Sequence, residues 1–125
     1  MTQTIGIVIV SHSHHLAQGI IDLISEVAKD VPITYCGGLK DGSIGTEFSR
    51  VEEAVNSNPA DTILAFFDLG SARMNMEMVA DFTDKDIHIQ SVSVVEGSYT
   101  AAALLQAGAP LTAILEQLAA LAINK

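Results

Sequence analysis

GIVIVSHSHHLAQG, residues 6–19, decides how the rest of the chain is read. The apolar run 5–10 shows little alternation, the pattern of a strand covered on both faces. It stops at Ser11, and the five residues from Ser11 to His15 include three histidines: His12, His14 and His15. Beyond them Leu16, Ile20, Leu23, Ile24 and Val27 fall at i, i+4, i+7, i+8 and i+11, one apolar stripe of a helix. A buried strand therefore hands over through imidazoles to an amphipathic helix.

The same alternation continues outward. Runs 33–35, 62–67 and 87–91 are β-branched or apolar and read as three more strands. Phe48, Val51 and Val55 mark a second helix, and Met74, Met78, Val79 and Phe82 a third. Helices over 98–106 and 111–123 are separated by Gly108 and Pro110, which stop one helix and restart the next. The order β-α-β-α-β-α-β-α-α predicts an α/β fold: an open, mainly parallel four-stranded sheet with helices on both faces. Right-handed crossovers leave few strand orders open, and among them 2-1-3-4 is expected. No linker or repeat interrupts the chain, so one domain over 1–125 is expected.

Composition narrows the function. Apolar residues make up 49% of the 125 and charged ones 17%, which excludes a disordered chain. The formal charge is −9, and the six basic residues (Lys29, Lys40, Arg50, Arg73, Lys85, Lys125) are dispersed. Such a surface repels nucleic-acid backbones and suits a basic protein partner. Cys36 is the lone cysteine, so an internal disulfide is ruled out and a cytoplasmic address is expected. The sequence shows no signal-peptide pattern and no apolar run of the roughly 18 residues that cross a bilayer.

In open α/β sheets ligands bind at the carboxyl ends of strands where the winding reverses. That crevice lies between the ends of the first and third strands, at Ser11-His12 and at Asp68-Leu69-Gly70-Ser71. An aspartate beside an imidazole fixes its tautomer and leaves the second nitrogen free as a nucleophile. Helices that start after Ser13 and after Gly70-Ser71 turn positive ends toward the crevice, which suits phosphate. Thr46, in the glycine-rich loop 37–47, is placed to cap the following helix or to contribute to the site. His12 and Asp68 are the catalytic candidates, with Ser13, Thr46, Gly70 and Ser71 around them.

Blander readings exist for each. His14 and His15 sit in an exposed first helical turn, and His88 reads as a core histidine. Asp68 would serve as a helix cap, and Cys36 as a small hydrophobe. A zinc site built on HSHH lacks partners at ligand spacing, and His14 and His15 diverge by about 100° on a helix. No metal is expected. Phosphate-binding loops, dinucleotide fingerprints and nucleophile elbows are missing, so any phosphoryl group is expected to come from another protein.

Four motifs, GIVIVSHSHHLAQGI, IGTEFSRVEEAV, DLGSARMN and VEGSYTAAALLQAG, occur in order. Together they resemble the DhaM family, the phosphoryl-donor subunits of phosphotransferase-system-dependent dihydroxyacetone kinases, related to mannose-type IIA (EIIA) domains. VSHS and DLGSA favour this branch over the sugar-transport branch. The resemblance implies that His12 is phosphorylated on Nε2 and that Asp68 holds its Nδ1–H. It places Gly70 and Ser71 in the loop beside the phosphohistidine and Thr46 in the family's Gly-Thr element, and carries nothing over to His14 or His15. It further implies a homodimer that receives the group from HPr and passes it to ADP held by DhaL. DhaL and DhaK would then phosphorylate dihydroxyacetone. On this reading the chain binds no cofactor, since the nucleotide stays on DhaL, and it depends on separate enzyme I and HPr. The alternative within the family is a mannose-type sugar EIIA that feeds a IIB component.

Overall fold

Strands that are apolar on both faces need helices on both sides of the sheet, and the computed structural model, which describes residues 4–125, has that arrangement. Among these residues the order is β1 (Ile5–Ser11), α1 (His14–Ser25), β2 (Ile33–Gly37), α2 (Phe48–Ser57), β3 (Thr62–Phe67), α3 (Gly70–Phe82), β4 (Asp86–Gln90), α4 (Val94–Gln106) and α5 (Leu111–Ala119). The sheet runs β2-β1-β3-β4 with every neighbouring pair parallel. This is the predicted order, and it sets β1 beside β3.

Strand alternation divides the core in two. Val8, Val10, Ile63, Ala65 and Phe67 face Val51, Ala54 and Val55 of α2 and Ala72, Met76 and Val79 of α3. Ile7, Ile9, Leu64 and Phe66 face Ile20 and Ile24 of α1, Ala101 and Ala102 of α4, and Ile114 and Leu118 of α5. Each large apolar side chain so enclosed contributes about 1.5–3 kcal/mol relative to exposure.

Several boundaries and faces differ from expectation. The first helix ends at Ser25, before Val27, the fourth begins at Val94, and the last ends at Ala119. Past Ala119 the N–H groups of Ala120, Leu121 and Ala122 donate to carbonyls three residues back, and the chain then leaves the helix: Ile123 N–H donates to the Ser91 carbonyl, and Ala122 bridges antiparallel to Val92. In α3 the stripe is rotated. Met74 and Phe82 are 65% and 76% exposed, and Ala72, Met76 and Val79 are the buried set. A small alanine against the sheet lets the helix axis approach, so the face is chosen by fit as well as by hydrophobicity. The same holds in α1, where Ala17, Ile20 and Ile24 are buried and Leu16 and Leu23 are largely exposed. His88 is no core residue. It lies on the edge strand, with Nε2 2.8 Å from the Asp86 carboxylate.

Candidate functional site

The carboxyl ends of β1 and β3 bring Ser11, His12 and Asp68 together. The Asp68 Oδ2 atom accepts from the Ser11 hydroxyl at 2.8 Å and from the His12 backbone N–H at 2.9 Å. Its Oδ1 lies 2.9 Å from His12 Nδ1 and accepts the Leu69 N–H at 2.8 Å. Burial pushes this carboxyl up, but the bonds from the His12 backbone and ring, Ser11 and Leu69 together outweigh it and hold Asp68 below the usual carboxylate range. Asp68 is thus an ionised acceptor. The His12 Nδ1 must carry the proton between them, and Nε2 keeps its lone pair. The Ser71 hydroxyl, 2.6 Å from Nε2, donates to that lone pair.

Local chemistry holds this arrangement. Ser11 is 1% exposed, and its hydroxyl, while donating to Asp68, accepts the Ser13 N–H at 3.0 Å. Ser13 is the N-cap of α1, its hydroxyl accepting from Leu16 N–H. Loop 37–47 wraps the other side: Gly38 N–H donates to the Ser11 carbonyl at 3.1 Å and Gly45 N–H to the His12 carbonyl at 2.9 Å. Gly37 is required by contact, since a Cβ there would fall 2.6 Å from the Ser13 carbonyl oxygen and 2.8 Å from the His14 Cα. Thr46 does not cap α2. Its hydroxyl accepts from the Asn75 side chain of α3 and ties the loop across the crevice, while Glu47 occupies the cap position and accepts the Lys40 N–H. Gly70 and Ser71 open α3, whose N-cap is Leu69 rather than Asp68. The N-terminal ends of α1 and α3 flank His12, a setting that favours an anion.

The structure therefore brings His12, Asp68 and Ser71 into direct contact, with Ser13, Gly70 and Thr46 in the surrounding turns. His14 and His15 are both exposed, their rings edge to face at 5.7 Å. His14 lines a neighbouring hollow with Lys40, Asp41 and Arg50. Cys36 is buried in β2, and that burial, opposed by Arg50 and assisted by Asp68 and Glu53, pushes its thiol up to about 11. Among the described residues no group of three histidine, cysteine, aspartate or glutamate side chains could hold a metal ion, and no helix is long and apolar enough to cross a membrane. Sequence reasoning missed Ser11 as a functional residue. The available signal was a hydroxyl ending an otherwise apolar run one residue before the histidine.

Comparison with known proteins identifies the family to which the chain belongs. Residues 6–115 match the family model EIIA-man, described as "PTS system fructose IIA component". The chain is 55% identical, over 98% of its length and 99% of the relative's, to "PTS-dependent dihydroxyacetone kinase, phosphotransferase subunit DhaM" of Lactococcus lactis subsp. lactis (strain IL1403). It is 47% identical, over 85% of its own length and 86% of the relative's, to "PEP-dependent dihydroxyacetone kinase 1, phosphoryl donor subunit DhaM" of Listeria innocua serovar 6a. Among solved structures, "unknown function protein EF1359" superposes with TM-score 0.83 at 29% identity, covering 94% of both chains.

Proposed function

The chain belongs to the EIIA-man family, and from that membership we propose that it is the phosphoryl-donor subunit of a phosphoenolpyruvate-dependent dihydroxyacetone kinase, with His12 as the phosphoryl carrier. The observation that carries the reading is the His12 Nδ1 to Asp68 pairing, which leaves Nε2 as the nucleophilic nitrogen. Phospho-HPr presents its phosphoryl group in line with that lone pair. The new P–N bond forms as the donor's P–N bond breaks, and His12 gives up no proton. The ring then carries positive charge, which the Asp68 carboxylate balances. Ser71, displaced from Nε2, turns its hydroxyl toward a phosphoryl oxygen, and the first turns of α1 and α3 add their positive ends.

In the second step the P–N bond breaks, and an oxygen of the terminal phosphate of ADP held by DhaL takes the group. The ATP so formed serves DhaK and DhaL in phosphorylating dihydroxyacetone. On this reading the chain works as a single mannose-type EIIA domain over 1–125, homodimeric and cytoplasmic, and holds no nucleotide or metal of its own.

Intact-mass measurement after incubation with phosphoenolpyruvate, enzyme I and HPr tests the proposal. One acid-labile phosphoryl group is expected, mapped to His12, absent from His12→Ala, and discharged by DhaL carrying ADP. Discharge by a IIB component instead would move the chain to the sugar branch. An unmodified protein beside active control components would overturn the carrier role.

A further inference from the structure

Beyond α5 the chain doubles back along the segment that follows β4, through the Ile123–Ser91 hydrogen bond and the Ala122–Val92 bridge. This course brings Lys125 to the carboxyl end of β3. Its Nζ donates to the carbonyl oxygens of Phe67 and Val92, both at 2.6 Å, and stands 4.4 Å from the centroid of the Phe67 ring. The β3–β4 register ends at Phe66 opposite Gln90, so the ammonium joins the two segments just past their last pair. The Phe67 carbonyl belongs to the peptide group that leads into Asp68. The other end of that group, Asp68 N–H, donates to the Val10 carbonyl at 3.3 Å. The plane from which the Asp68 side chain departs is thus fixed at its oxygen by Lys125 and at its nitrogen by β1.

We propose that Lys125 is a positioning residue for phosphoryl transfer: its ammonium clamps the Phe67–Asp68 peptide and so keeps the Asp68 carboxylate on His12 Nδ1. The inference rests on the carrier reading above. The ammonium is costly to desolvate and is held by two carbonyl oxygens, one of them the oxygen of the peptide that leads into Asp68. Burial does draw the Lys125 ammonium down, and the negative charge of Asp68 draws it back, so the two groups feel each other. In a chain of net charge −9 the clamp also places a cation behind a site that must accept a phosphoryl group.

Three variants of the whole chain separate positioning from fastening. Lys125→Met removes charge and donors, Lys125→Gln keeps a donor without charge, and Lys125→Arg keeps both. Two readouts are needed: single-turnover phosphorylation of His12 over a range of phospho-HPr concentrations, and the imidazole Nδ1–H resonance of the unphosphorylated protein. With Lys125→Met, phosphorylation at saturating donor is expected to slow about tenfold, with half-saturation changed by less than about twofold, as for a small misplacement of reacting groups. The Nδ1–H signal should move toward that of a weaker hydrogen bond. Lys125→Arg should recover most of both, and Lys125→Gln gives the same comparison as Met should the methionine loosen the tail. Parent-like rates and resonance in the Met and Gln variants would overturn the proposal, even if their thermal midpoints fell. So would an Arg variant as slow as Met. Failure of the carrier reading is distinguishable, because the parent protein itself would then take up no phosphoryl group.

Discussion

The Asp68 side chain has four donors and one job, which makes it the most informative residue to change. Asp68→Ala removes the group that fixes the His12 tautomer, and transfer by quench-flow is expected to fall about 10²–10³-fold, the range seen when one preorganised electrostatic partner is lost. Stability should fall by about 1–3 kcal/mol, since the buried Ser11 hydroxyl is left without its acceptor. Proton linkage gives a second check. The Asp68 carboxyl is held below its ordinary value in the folded chain, so its stabilising contribution is present above the unfolded value and disappears as pH falls through the lowered folded one. The difference in urea midpoint between parent and Asp68→Asn should therefore be constant from about pH 5 to 7 and shrink below about pH 4. A difference independent of pH would mean that charge at Asp68 adds nothing to the fold. His12 and Asp68 were legible in the sequence because strand order alone brings their ends together. Ser11 and Lys125 were not. Their partners lie across the sheet, and a serine or lysine at the end of an element carries no pattern that says what it will meet.

Secondary structure was legible where apolar residues run continuously, as in β1 and β3, and less so where two helical stripes compete. In α3 the expected stripe is Met74, Met78, Val79 and Phe82, and a second, Ala72, Met76 and Val79, shares only Val79 with it. Close approach to the sheet selects the second, which a reading weighted by side-chain size does not choose. The consequence is measurable. Met76→Ala opens a cavity against Val79 and the β3 face and should lower stability by about 2–5 kcal/mol, as buried methionines do. Met78→Ala, at a position 47% exposed, should change it by less than about 0.5 kcal/mol. Equal losses in urea unfolding would show that the packing of α3 differs from the one described. The end of α5 escaped for a related reason: the chain leaves the helix where another backbone group satisfies it, as Ser91 does for Ile123.

At the scale of the molecule, alternation and handedness narrowed the strand orders to a few, and the one expected among them, 2-1-3-4, is the one present and sets the position of the crevice. The rim could not be read in the same way. Sequence charge predicts an acidic rim, yet Ile44, Leu69 and Met74, respectively 72%, 59% and 65% exposed, lie on the loop and helix that border His12. Two forces then divide the work of meeting a partner. On the carrier reading, the overall charge of −9 would act at long range to steer a basic partner, and the exposed apolar side chains would hold it after contact. The screening length is about 10 Å at 0.1 M salt and about 3 Å at 1 M. Raising salt over that range should lower the association rate with HPr or DhaL roughly tenfold and leave dissociation within about twofold. Leu69→Ser should do the reverse, speeding dissociation with little effect on association at any salt. Stopped-flow measurement of both rates decides between the two forces. An association rate indifferent to salt would remove electrostatic steering, and a Leu69→Ser variant with parent dissociation would remove the apolar rim as the holding surface.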